Sequence, residues 1–166
     1  MTHRVLGLAT FCAALGSGLV AGVFFAFSTF VMPALARLPP EQGIAAMQAI
    51  NVAAINRWLM GALFGTAAAC LLLAVSSLTG WNAPGAGLRL GGSALYLFGA
   101  VLVTAACNVP RNEALALLPP DGAEAATVWL RFLSEWTAWN HVRGAAAFLA
   151  AGALTLALLC ARGPPA

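Results

Sequence analysis

Three short segments of the chain carry side chains able to hold and polarise an oxygenated ligand. They are Asn51 with Asn56-Arg57-Trp58, then Asn108-Val-Pro-Arg-Asn112-Glu113, then Trp136-Thr-Ala-Trp139-Asn140-His-Val-Arg143. Asn supplies donors and acceptors without charge, which suits a pocket for a planar ligand bearing oxygen. In the third segment Trp136, Trp139, Asn140 and Arg143 stand at i, i+3, i+4 and i+7, one face of a helix. Asn108 and Asn112 are likewise one turn apart. Pro110 between them frees a backbone carbonyl about one turn earlier, an acceptor for an Asn or Arg donor. His141 points off the shared face and reads as an interfacial histidine. A plainer use of the same residues stands beside this one: Asn and Trp as anchors at helix ends, and Glu113 with Arg143 as an ion pair pinning two helices. No two His and no pair of carboxylates stand at ligand spacing, so no metal and no cofactor are expected.

The elements that must position these groups follow from composition. The chain has 166 residues, 61% of them hydrophobic and 8% charged. Its mean hydropathy is +0.89. A soluble domain carries roughly a quarter charged residues, and one of this size could not hide so much apolar surface. A soluble enzyme, a nucleic-acid binder and a disordered chain are excluded; what remains is a small integral membrane protein. The basic residues are eight Arg and no Lys, and they form no cluster that would bind nucleic acid.

Uncharged intervals run 5–36, 58–88, 90–110 and 144–161. Each approaches or exceeds the ~20 residues needed to cross hydrocarbon. The expected fold is an all-α, integral membrane four-helix bundle in one domain, 1–166. Its spans fall at about 5–35, 58–78, 90–109 and 142–161, with interfacial helices at about 41–57 and 121–141. The first apolar run continues to Leu35 without a small-residue cleavage site, so it is expected to be a retained helix rather than a signal peptide. Gly18-Leu-Val-Ala-Gly22, with Gly16 before it, has the small-xxx-small spacing of close helix contact. Phe24, Phe25, Phe27 and Phe30 are expected to face lipid or neighbouring helices. Cys12, Cys70, Cys107 and Cys160 lie in apolar segments without a paired motif and read as core packing. The tail from Arg162 to Ala166 is expected to fray.

Ala34-Leu-Ala-Arg-Leu-Pro-Pro-Glu41 matches Ala114-Leu-Ala-Leu-Leu-Pro-Pro-Asp121, 80 residues on. A tandem repeat of two helical hairpins would produce this pattern. After the second copy, Asp121-Gly-Ala-Glu124 has capping-box spacing. Trp129, Phe132, Leu133, Trp136 and Asn140 then recur on one helical face, as do Ile44, Met47, Asn51 and Ile55 after the first copy. With helices alternating in direction, the three polar segments fall at one depth. All five acids lie on that side of the membrane and none on the other. Arg alone favours that side as cytoplasmic, five to three. Setting aside Arg57, Arg111 and Arg143 as buried structural charges reverses the count to three to two, which puts both termini in the cytoplasm.

Gly22-Val-Phe-Phe-Ala-Phe-Ser-Thr-Phe-Val-Met-Pro33, Met47-Gln-Ala-Ile-Asn51, Asn108-Val-Pro-Arg-Asn112-Glu113 and Trp136-Thr-Ala-Trp139-Asn140-His-Val-Arg143 resemble the anthrone oxygenase-like family, small four-helix membrane proteins. The resemblance spans nearly the whole chain. The Asn-Val-Pro-x-Asn and Trp-x-x-Trp-Asn-x-x-Arg patterns are its most specific elements. It implies a multi-pass membrane protein of the bacterial cytoplasmic membrane, partnered by the lipid bilayer and by a lipophilic aromatic small molecule. If the family chemistry carries over, an anthrone is oxidised by O2 without a cofactor. Arg143 and Asn140 would then stabilise the oxyanion, Asn108, Asn112, Asn51 and Asn56 would hold substrate, and Trp136 and Trp139 would form stacking walls. Glu113 is the acid near the cluster able to take the proton. The alternative is a non-enzymatic membrane protein that binds a small hydrophobic molecule or serves as a partner subunit. Transport by so few spans would require a homo-oligomer. The enzyme needs an open pocket lined by Asn and Trp, whereas the scaffold would have its polar groups consumed by one another.

Overall fold

A computed structural model describes residues 3–161; the expectation for the tail from Arg162 lies outside them. Four helices are long and apolar enough to cross a membrane: α1 (Arg4–Leu35), α3 (Arg57–Thr79), α4 (Ala86–Ala116) and α5 (Ala125–Cys160). A shorter helix, α2 (Pro40–Ala54), follows α1. The fold is all-helical, as the sequence predicts. In the bundle α1 packs against α3 and α5, and α4 packs against the same two. The outward faces carry exposed Phe25, Phe64, Phe98, Phe148 and many Leu. Such a belt would be a liability in water and is the expected contact with lipid tails in a multi-pass membrane protein.

Close approach of the helices rests on small residues, though not on the pair that the spacing singles out. A Cβ on Gly16 would collide with the Thr66 hydroxyl, and one on Gly99 with Ala146. Gly18 and Gly22 are instead exposed: a Cβ on Gly18 would lie 4.0 Å from that of Ala151, and one on Gly22 would meet nothing within 4 Å. Gly85 opens α4 at φ 75°, and a Cβ there would lie 2.8 Å from the Ala157 carbonyl oxygen, so both conformation and space require glycine. Two of the four cysteines, Cys12 and Cys160, are exposed rather than packed inside.

Both copies of the repeat end a helix in the same way. Leu38 N–H donates to Leu35 C=O and Leu118 N–H to Leu115 C=O, while Gln42 and Gly122 donate to the carbonyls of Pro39 and Pro119. After the first copy the chain restarts at Pro40, and α2 ends at Ala54, which leaves Ile55 exposed outside the helical face expected for it. After the second, no separate interfacial helix forms. Residues 125–160 make one helix of 36 residues, about 54 Å long, because no proline interrupts them. It extends well beyond a hydrocarbon core of ~30 Å. Its start is at Ala125 with no side-chain cap, so the capping box expected from Asp121 and Glu124 is not made.

Two prolines shape the long helices. Pro33 and Pro110 lack the N–H that an α-helix sends back one turn. In each case the turn that ends two residues earlier is π-helical, at Phe27–Val31 in α1 and Thr104–Asn108 in α4. Nothing in the sequence explains the further π-helical stretch Leu95–Leu102.

The interior consists of two apolar clusters. One joins Val20, Phe24, Leu63, Cys70, Tyr96, Ala147 and Leu154 across the four spans. The other joins Met32, Ile44, Met47, Leu115, Trp129, Phe132 and Trp136, where α2 covers α5 and the end of α4. Gly43 lets α2 sit on Trp129, whose indole is 2.8 Å from where a Cβ would be. Along α5 the clusters are separated by Asn140 and Arg143.

Candidate functional site

The boundary between the clusters is a polar layer. Asn140 is fully buried and Arg143 and Asn108 nearly or fully so. Arg143 donates through Nε and Nη2 to Asn140 Oδ1 at 2.9 and 2.7 Å, and through Nη1 to Thr104 Oγ1 at 3.2 Å. Its guanidinium also lies over the rings of Phe24, at 4.1 Å, and Trp136, at 5.0 Å. Asn140 Nδ2 donates in turn to the Phe24 carbonyl and to Ser28 Oγ, each at 2.6 Å. The two π-helical turns bracket this layer, one bringing Ser28 and the other Thr104 and Asn108. Such turns re-aim side chains and recur at functional sites.

Asn108 Nδ2 donates to the Trp136 carbonyl at 3.2 Å, and Trp136 Nε1 donates to Asn112 Oδ1 at 2.7 Å. Asn108 Oδ1 is buried and accepts no hydrogen bond among the described residues. Trp136 stacks on Phe132 and meets Phe27 at 5.8 Å, so its ring is fixed on both sides. In the turn before Pro110, Arg111 Nη1 donates to the Cys107 carbonyl at 2.7 Å.

Not every residue singled out by the sequence reaches this layer. Asn56 is exposed and caps α3, accepting from the N–H groups of Trp58 and Leu59. Asn51 is half-buried, with an Nδ2 that has no partner. Trp139 lies at the surface, 36% exposed. Glu113 is exposed and forms no ion pair among the described residues. The Glu113–Arg143 pair is therefore absent; instead Arg111 bonds Glu135 at 3.0 Å in a partly exposed contact. The cause is register: Glu113 lies one residue past Asn112, about 100° further round the helix. Arg57 is exposed beside Trp58. Of the three Arg set aside as buried, only Arg143 is so, and the count that placed both termini in the cytoplasm loses its basis.

Sequence reasoning passes over two participants, Ser28 and Thr104, and expects a third, Phe24, only as packing. Ser28, Thr104 and Phe24 sit in apolar runs, where a hydroxyl ordinarily bonds its own helix. Thr104 does so, through the Ala100 carbonyl, but its oxygen also receives Arg143. Ser28 opens onto a groove of about 510 Å³ between the second half of α1 and the first half of α5. Met32, Leu130, Leu133, Thr137 and His141 line it as well, so His141 faces this space rather than merely the interface. Its volume is in the range of small-molecule sites.

The anthrone oxygenase family model matches residues 57–153, which include the Asn108–Glu113 and Trp136–Arg143 segments. The chain belongs to the anthrone oxygenase family. No curated protein and no solved structure matches it. Within this anthrone oxygenase family member, the matched region supplies Thr104, Asn108, Asn112, Trp136, Asn140 and Arg143, while Ser28 and the α1 wall of the groove lie ahead of it.

Proposed function

We propose that the protein is a membrane oxidase of flat, lipophilic aromatic substrates of the anthrone type, which enter the α1–α5 groove from the bilayer. The observation that carries this reading is the hydrogen-bond relay from Arg143 through Asn140 to Ser28 at the groove wall. The Asn140 amide occupies one lone pair of Ser28 Oγ and leaves its O–H free to donate to a substrate oxygen. The buried cation thereby favours negative charge on that oxygen without being exposed to the groove itself. Oriented donors of this kind stabilise developing oxyanions because they need no reorganisation.

An anthrone loses a proton from its methylene carbon to become an aromatic oxyanion, which reduces O2 directly. One anthrone and one O2 give one anthraquinone and one water, so no further reductant is required. Of the two candidate proton acceptors, His141 lines the groove and Glu113 does not, and His141 is assigned the role. Leu130, Leu133 and Met32 provide the apolar surface for the rings.

A second reading rests on a specific observation. Asn140 and Arg143 are satisfied by each other, by Thr104 and by Phe24. In that reading the layer only fastens the bundle, and the groove holds a hydrophobic molecule without converting it. The two are separated by incubating purified protein in detergent with an anthrone and following O2 uptake and anthraquinone absorbance. Catalysed formation with equal consumption of O2 supports the oxidase; a rate equal to spontaneous autoxidation, together with saturable anthrone binding, supports the binder.

A further inference from the structure

The opposite end of the bundle holds a second buried cation. Arg89 lies in the first turn of α4 and is 3% exposed. Its Nη1 donates to the Pro84 carbonyl at 3.0 Å, and this is its one hydrogen bond among the described residues. Its Nε is buried without a partner. All five acids of the chain lie toward the other end, so no carboxylate side chain reaches it. Position makes this worse, since the amino end of a helix carries partial positive charge and disfavours a cation.

Arg89 adjoins a cavity. A space of about 50 Å³ is lined by Leu6, Thr10, Pro84, Arg89, Ala157 and Ala161. It lies where α1 begins, α5 ends and the α3–α4 turn closes. A buried guanidinium in apolar surroundings normally has a counter-charge. The α5 carbonyls beside the cavity do not serve, for none receives a bond from Arg89. What the site lacks among the described residues is an anion small enough for the cavity, with several acceptor oxygens.

We propose that the Arg89 cavity binds one phosphate group, presented by a phospholipid headgroup at the membrane edge or by free phosphate. The planar donor array of arginine suits such an oxyanion. The site lies at the other end of the molecule from the groove and is independent of the oxidase reading.

The test uses the full chain in a maltoside detergent, which contains no phosphate. Thermal unfolding is followed against inorganic phosphate at constant ionic strength, and separately against added phosphatidylglycerol. A saturable rise in Tm of about 2–4 °C is expected for the wild type, and none for Arg89→Gln. A rise with the lipid alone identifies the headgroup as the source; a rise with both identifies the phosphate itself. A wild type indifferent to both overturns the site, as does an equal rise in Arg89→Gln. Should Arg89→Gln fail to fold, Ala161→Leu replaces it, since it fills the cavity from an exposed rim and leaves Arg89 in place, with an expected weakening of the midpoint of threefold or more. An unchanged midpoint in Ala161→Leu then counts against the site.

Discussion

Replacing Asn140 with Leu removes the acceptor on which Arg143 depends. Two guanidinium N–H groups, now bonded to Asn140 Oδ1 at 2.9 and 2.7 Å, would be left in a layer that is 7% exposed or less. In soluble proteins a hydrogen bond to a charged group contributes about 1.5–3 kcal/mol. Bonds between membrane helices average about 0.6 and reach about 1.7 kcal/mol, because the unfolded state in lipid also finds partners. A charged, buried pair belongs at the upper end of that range, and with two bonds lost the expected loss for N140L is about 3 kcal/mol. Arg143→Leu leaves one Asn oxygen unpaired and costs about 1–2 kcal/mol. In the double variant neither partner is orphaned, and its loss should be at least 2 kcal/mol smaller than the sum of the single losses. The assay is reversible unfolding by SDS in mixed micelles, monitored by circular dichroism. Additive losses in this cycle would show that the two residues do not depend on one another and would refute the polar layer as described.

Gly43→Ala drives a Cβ to within 2.8 Å of the stacked and buried Trp129 indole, and should cost about 1–3 kcal/mol. Gly65→Ala, where nothing lies within 4 Å, should not destabilise; thermal unfolding compares the two. Asn56→Ala removes the α3 cap, with an expected loss of about 1 kcal/mol in the same assay, and leaves anthrone turnover per folded molecule unchanged. Glu135→Gln breaks the Arg111 pair, whose side chains are 30% and 47% exposed, so the loss should stay below about 1 kcal/mol and shrink further in high salt.

How far the site was legible in the sequence depends on which dimension is asked for. Along α5, helical periodicity puts Trp136, Asn140 and Arg143 on one face, and the structure buries all three together. Depth is legible too, since the alternation of spans brings the Asn108 and Trp136 segments to one level. Direction around a helix is not. Asn51 and Asn56 belong to a helix end whose facing is set by the turn at Ile55, and one residue of rotation turns Glu113 away. The π-helical turns add an offset that a 3.6-residue pattern does not include, so Ser28 and Thr104 look like ordinary hydroxyls in apolar helices. His141 is off the face that carries Arg143, but the second half of α1 lies along that other face and makes it a groove wall. The extent of α5 was obscured by its charges: Arg131, Glu135 and Arg143 suggest a boundary to any reading based on uncharged length, whereas helix continuity requires only that no proline intervene.

The relay to the groove is tested most directly by Ser28→Ala. The change removes one hydroxyl at the groove wall and leaves Asn140 its bond to the Phe24 carbonyl. Steady-state anthraquinone formation under O2, corrected for autoxidation, should fall about 100-fold, the scale of losing one oxyanion donor, with little change in Tm. Wild-type kcat/KM in Ser28→Ala would contradict the account.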